Sequence, residues 1–213
     1  KGGAFVQDAR GRWYVTFQCE VVDDLPARAG AIGIDLGLKD LATCSDGTKV
    51  PALQHYRRYA DALARAQRSR NKKRVRAIHA KIANSRRHHH HVESSRIARE
   101  NKIVVVGDVS ASRLKKTRMA KSISDAGWYA FKEMLRYKTA RRRGVFLEVS
   151  ERFTTVACSE CGALSGPQGQ KGLRIREWKC SECRASHDRD VNAARNILRL
   201  GLECQPPVEE IAA

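Results

Sequence analysis

The chain has 213 residues, 42% of them apolar and 30% charged, enough for one substantial core and a small satellite without a disulfide framework. Forty-one Lys and Arg against 23 Asp and Glu leave a net charge of +18. An excess of that size calls for a polyanionic partner, because each phosphate neutralised releases condensed counterions; the absence of any run of 18 apolar residues excludes a membrane-spanning helix.

The opening Lys1-Gly2-Gly3-Ala4 carries neither a Met nor a signal-peptide pattern and leads almost at once into a strand. The sequence is therefore expected to be the C-terminal part of something longer. Residues 4–22 read as a hairpin, in which Ala4-Phe5-Val6 turns through Asp8-Ala9-Arg10-Gly11 into the alternating, aromatic-rich run 12–17. Ala31-Ile32-Gly33-Ile34-Asp35-Leu36-Gly37-Leu38 predicts a buried strand with one carboxylate in its middle. Residues 41–44 and 48–50 extend it as an antiparallel meander that turns at Ser45-Asp46-Gly47.

Residues 52–100 contain no proline or glycine and predict one or two long helices. From Arg57 to Arg99 there are 14 Lys and Arg, with only Asp61 and Glu93 as acids. Leu63, Ala66, Val75, Ile78, Ile82 and Val92 fall near helical spacing. A helix with one apolar stripe and a basic surface suits a phosphate backbone. Arg57, Arg58, Arg68, Arg70, Lys72, Lys73, Arg74, Arg76, Arg86 and Arg87 are the candidate nucleic-acid contacts. The internal run His88 to His91 is assigned no role.

A second buried strand follows at 102–109, then a basic loop over 110–121. An amphipathic helix is expected from Ser124 to Arg143, with Trp128, Phe131 and Leu135 on one face and Gly144 at its end. Residues 145–149 make the next strand, His187 to Leu200 a closing helix, and the tail after Glu203 a loose end. This order, βββ-α-β-α-β-(ribbon)-α, predicts a mixed α/β sheet of RNase H type.

Seven cysteines, four of them in close pairs, point to metal binding in a reducing cytoplasm rather than to disulfides. Cys158-Ser159-Glu160-Cys161 and Cys180-Ser181-Glu182-Cys183 lie 18 residues apart, a spacing that suits a four-thiolate zinc site. With all four positions filled there is no open coordination site, so that zinc is structural. Gly162 fits the tight turn after the first knuckle, and Trp178 is expected to pack on the second. Cys19, Cys44 and Cys204 are expected to be packing residues.

Asp35 is a carboxylate in an apolar strand, where left unpaired it would cost several kcal/mol. Magnesium would relieve that cost and supply two-metal chemistry on a phosphodiester. Asp188-Arg189-Asp190 places two more carboxylates at the start of the last helix. Asp190 is the candidate metal ligand there, and Asp188 a helix cap or a support for the site.

Together, Ile32-Gly33-Ile34-Asp35-Leu36-Gly37, the four cysteines and Asp188-Arg189-Asp190-Val191-Asn192-Ala193-Ala194 resemble the TnpB family of transposon-encoded RNA-guided nucleases, which is related to compact type V CRISPR effectors. The resemblance covers essentially all of 30–200. It implies a RuvC-like nuclease domain over 30–154 and 185–203, with the zinc ribbon inserted at 155–184, the end of a wedge or β-barrel domain at 1–25, and a tail at 204–213. It further implies a metal-dependent DNA endonuclease with guide RNA and target DNA as partners, structural Zn²⁺, catalytic Mg²⁺, no membrane, a homodimer, and a prokaryotic cytoplasm beside the nucleoid. Asp35 matches the family's first catalytic acid and Asp190 its third. The second, a Glu at the end of the second core strand, is replaced by Gly107. Asp108 could substitute, although one position along a strand faces the other way. Glu148 or Glu151 could supply the ligand from the neighbouring strand, and the likeness of displaced-Glu relatives near residue 151 favours Glu151. Otherwise the site is dead, and the chain is a nuclease-inactive, repressor-like RNA-guided DNA-binding protein or a guide-independent transposition factor.

Overall fold

The computed structural model describes residues 2–8, 10–20, 29–109, 120–172 and 174–204. Its centre is a five-stranded mixed sheet. Strands β3 (Ala31–Leu36), β4 (Asp40–Cys44) and β5 (Lys49–Pro51) form the antiparallel meander, while β6 (Ile103–Gly107) and β7 (Val145–Val149) run parallel to β3, in the order β5-β4-β3-β6-β7. Parallel neighbours need crossovers, and the helices supply them. Here α1 (His55–Arg68) and α2 (Lys72–Glu100) lead from β5 to β6, and α4 (Trp128–Arg141) leads into β7.

The central strands are β-branched runs because they are covered on both faces. Ile34, Val104, Val105 and Val106 are all fully buried. One face packs on α2 and α4 through Ile97, Trp128, Phe131 and Leu135. The Trp128 indole N–H donates to the Gly37 carbonyl at 3.1 Å, fixing α4 to the end of β3. The other face carries α6 (Arg189–Glu203), which follows the short α5 (Gly169–Gly172) in sequence and lies directly on β3 and β6. Gly33 is required for that contact, since a Cβ there would overlap the Ala194 carbonyl and Leu198.

Several sequence expectations are sharpened or corrected. The segment 52–100 is two helices packed through Leu63, Ala66, Ile78 and Ile82, whereas Val92 points out to solvent. The helix expected from Ser124 breaks at Gly127, whose φ of 64° caps α4 after the short α3 (Ala120–Ala126). His187 is not helical: it lies in β9 (Ser186–Asp188), paired antiparallel with β8 (Glu177–Lys179), and the closing helix starts at Arg189. The histidine run is not all surface, because His90 is buried with its ring 5.4 Å from Phe131. Of the three outlying cysteines only Cys44 is buried; Cys19 and Cys204 are exposed. The basic loop lies mostly, and the tail beyond Cys204 entirely, outside the described residues. The hairpin of β1 (Gly3–Gln7) and β2 (Trp13–Phe17) forms as expected, with both its faces exposed.

Candidate active site

Asp35 and Gly107 sit at the carboxyl ends of the adjacent parallel strands β3 and β6. Side chains alternate along a strand, so Asp35 shares the face of Gly33, the face covered by α6. Burial pushes the Asp35 carboxyl up to about 8, and the nearby charges of Glu151 and Asp190 push it the same way. The guanidinium groups of Arg189 and Arg176 oppose the shift without cancelling it. The structure thus brings Asp35, Glu151 and Asp190 into one electrostatic neighbourhood.

Glu151 stands just beyond β7 and leans across β6. A Cβ built on Gly107 would lie 2.6 Å from Glu151 Cγ and 2.9 Å from its Cδ. The absent side chain at 107 therefore leaves the room into which Glu151 folds. Glu151 Oε1 is buried with no hydrogen-bond partner among the described residues. Burial raises this carboxyl to about 7, Asp108 adds to the rise, and Lys132 opposes it. A buried carboxylate oxygen without a protein partner is the kind of donor a hard divalent cation takes, although among the described residues only the four cysteines bring three or more ligand atoms within 4.8 Å of one another.

The other two carboxylates considered for this role are placed elsewhere. Glu148 is on the opposite face of β7, held by Lys132 at 2.7 Å and by Arg136 of α4. Asp108 is 65% exposed and sits 3.8 Å from Lys132. Asp188 is the N-cap of α6: its Oδ1 accepts from the backbone N–H of Asp190 and Val191 at 2.9 and 3.0 Å, and Lys49 pairs with it at 2.7 Å. The cap leaves Asp190 in the first turn, where the helix dipole favours a negative charge. Arg176, which sequence reasoning overlooked, reaches Asp190 from the ribbon at 3.0 and 3.2 Å.

The ribbon brings Cys158, Cys161, Cys180 and Cys183 together, with all four sulfurs within 4.8 Å of one another. Two sulfur pairs lie 3.6 Å apart, close to the edge of about 3.8 Å expected of a thiolate tetrahedron around zinc. The Ser165 hydroxyl donates to Cys180 Sγ at 3.1 Å, and with backbone N–H groups of Cys183 and Glu182 it draws that thiol down to about 6. Burial and the neighbouring sulfurs push Cys183 the other way, up to about 12; metal binding takes all four cysteines as thiolates. Gly162 takes the expected left-handed turn, with φ 79°. Trp178 stacks instead on His187, with the rings 4.6 Å apart, and His187 Nε2 lies 3.1 Å from Cys158 Sγ of the first knuckle.

The candidate phosphate contacts lie along α1, α2 and the turn between them. Nine of the ten are exposed: Arg57, Arg58, Arg68, Arg70, Lys72, Lys73, Arg74, Arg76 and Arg87. Arg86 is engaged internally instead, donating to the Ser124 carbonyl at 3.1 Å and lying 3.7 Å from Asp125. Among the described residues no helix is long and apolar enough to cross a membrane.

Comparison with known proteins bears on the whole arrangement. Residues 16–118 match the family model OrfB_IS605, "Probable transposase", and residues 128–197 match the "Cas12f1-like, TNB domain". A Streptomyces pristinaespiralis protein named "Putative RNA-guided DNA endonuclease" is 39% identical over 211 residues, spanning 92% of this chain and 52% of that protein. Escherichia coli K12 "Putative RNA-guided DNA endonuclease InsQ" is 28% identical over 226 residues, spanning 92% of this chain and 56% of that one. The chain thus spans about half the length of these curated relatives. The cryo-EM structure of a Cas12f1–sgRNA–target DNA complex superposes with a TM-score of 0.62 at 17% identity, covering 89% of this chain and 54% of that chain. A CRISPR–Cas12f ternary complex also gives 0.62, at 19% identity, over 88% of this chain and 42% of that chain; at identities this low the likeness shows the fold alone. The two family models follow one another along the sequence, the named relatives span nearly all of it, and the fold agrees: the chain belongs to the TnpB family.

Proposed function

We propose that this chain carries the nuclease portion of an RNA-guided DNA endonuclease, in which Asp35, Glu151 and Asp190 hold Mg²⁺ and the four cysteines hold Zn²⁺. The observation that carries the reading is the placement of Glu151: its carboxylate fills the space above Gly107, and its Oε1 is buried without a partner among the described residues. In this reading the family's second acid has moved from one parallel strand to the end of the next. Residues 30–154 and 185–203 form the RuvC-like domain, 155–184 the ribbon, and 1–25 the end of a wedge or barrel domain.

Magnesium, when bound, supplies a Lewis acid and an activated water for phosphodiester hydrolysis. The protein's part is to hold three carboxylates on one face of the sheet in a partly dehydrated pocket, where their attraction for a cation is strongest. Arg176 offers a guanidinium at the edge of the same site. The basic surface of α1 and α2 contacts the phosphates of a guide–target duplex, whose sequence is read by base pairing rather than by the protein. A second reading, guided binding without cleavage, is motivated by Gly107 itself.

One assay separates them. Protein loaded with its native guide RNA is incubated with target DNA and Mg²⁺, beside Asp35→Ala. We expect cleavage by the unmutated protein and loss of at least about 10³-fold in Asp35→Ala, a transition-state loss of roughly 4 kcal/mol. Binding without cleavage by the unmutated protein would establish the second reading instead.

A further inference from the structure

Glu151 and Asp190 are contributed by segments that do not adjoin in sequence, and the turn after Glu151 is closed by the backbone N–H groups of Val156 and Ala157, which donate to the Phe153 carbonyl at 3.0 and 2.8 Å. Phe153 within it is held at a φ of 65°, a left-handed conformation that disfavours a side chain. Two buried asparagines one helical turn apart on α6 grip this turn from below. Asn192 Nδ2 donates to the carbonyls of Thr154 and Ala157 at 3.1 and 2.8 Å, and Asn196 Nδ2 donates to the same two carbonyls at 2.9 and 2.7 Å. Both side chains are 1% exposed.

The grip extends in both directions. Upstream, the backbone N–H and hydroxyl of Thr154 donate to the Glu151 carbonyl at 3.2 and 2.9 Å. Downstream, the Ser159 N–H, inside the first cysteine knuckle, donates to Asn192 Oδ1 at 2.8 Å. Asn192 lies two residues after Asp190 on the same helix. One bracket therefore ties together the turn bearing Glu151, the knuckle bearing Cys158 and Cys161, and the helix bearing Asp190.

We propose that Asn192 and Asn196 are positioning residues that set the spacing of Glu151 from Asp190. The inference rests on the assignment of Glu151 as a cation ligand. An amide suits the task because it presents two N–H donors in a fixed plane; at Asn192 its oxygen also accepts from Ser159, whereas Asn196 Oδ1 is buried without a partner among the described residues. A hydrophobic side chain of similar size would fill the space and leave two buried carbonyls without those donors.

The test uses Asn196→Leu and the milder Asn196→Ser, whose single hydroxyl can donate to one carbonyl at most. Three quantities are measured on the full chain: the cobalt–thiolate absorption of the Co²⁺-substituted cysteine site, the melting temperature, and Mn²⁺ affinity at the acidic site by electron paramagnetic resonance in Zn²⁺-loaded protein. We expect both variants to keep the cobalt band while Mn²⁺ affinity falls, by about 10- to 100-fold in Asn196→Leu, as is typical when residues supporting a metal ligand are removed, and by less in Asn196→Ser. A purely structural role would lower the melting temperature and leave Mn²⁺ affinity unchanged in the folded protein; that result in either variant overturns the proposal. Should Asn196→Leu fail to fold, Asn196→Ser decides alone. If the unmutated chain binds no Mn²⁺, or binds it equally well as Glu151→Gln, the Glu151 assignment fails instead, so the two failures are distinct.

Discussion

Asp35 and Glu151 are the two carboxyls that burial raises most among the described residues, which has a consequence for stability. Asp35 titrates near 3.8 in an open chain and near 8 when folded. The folded state thus holds the proton more tightly, and the stability this confers is complete below pH 3.8 and is lost as pH rises through about 8. Glu151 acts in the same sense, with its folded value near 7. In magnesium-free buffer the protein should therefore melt lower at about pH 8.5 than at about pH 6, and Asp35→Asn should flatten most of that slope. A melting temperature that rises over the same interval in the unmutated protein would contradict this picture of the site. Magnesium should reverse the trend, because cation binding favours the ionised carboxylates.

At the scale of elements, the ribbon and the closing helix act as one unit. Cys158 and Cys161 are joined to α6 through Ser159 and Asn192, and Cys180 follows β8, whose partner β9 runs directly into Asp188 and Asp190. Cys180→Ser should lower both metal content and DNA cleavage, read by atomic absorption and a cleavage assay. Full cleavage by a metal-depleted ribbon would make the ribbon peripheral. Much of this framework was legible in the sequence: β-branched runs located the strands, and the paired CxxC spacing located the ribbon. Position 107 was legible as a gap but its filler was not, because periodicity ends with β7 and nothing local says that residue 151 folds back across the next strand. Likeness to relatives, rather than pattern, favoured Glu151. Asn192 and Asn196 did leave a signal, a polar pair four residues apart on the face of Ala193 and Ile197, which are fully buried. The break at Gly127 and the strand at His187 were missed because helical patterning reads smoothly through both, and only tertiary pairing decides them.

For the molecule as a whole, the net charge of +18 is unevenly used. The α1–α2 hairpin presents a basic surface, while the acidic cluster lies at the carboxyl ends of the parallel strands, where ligands of open α/β sheets bind. Replacing Lys72, Lys73, Arg74 and Arg76 with Ala together should weaken nucleic-acid binding at low salt and flatten its salt dependence, by about one unit of log–log slope for each phosphate that is no longer neutralised. An unchanged slope, measured by anisotropy between low and moderate salt, would remove this surface from the interface.

The central claim is that Glu151 replaces a missing acid at position 107, and second-site rescue tests it most directly. Guide-loaded Glu151→Ala should fail to cleave target DNA in Mg²⁺, and the double variant Gly107→Glu/Glu151→Ala, with the acid returned to β6 and the space above it cleared, should regain cleavage. Cleavage by Glu151→Ala at the unmutated rate would contradict the account.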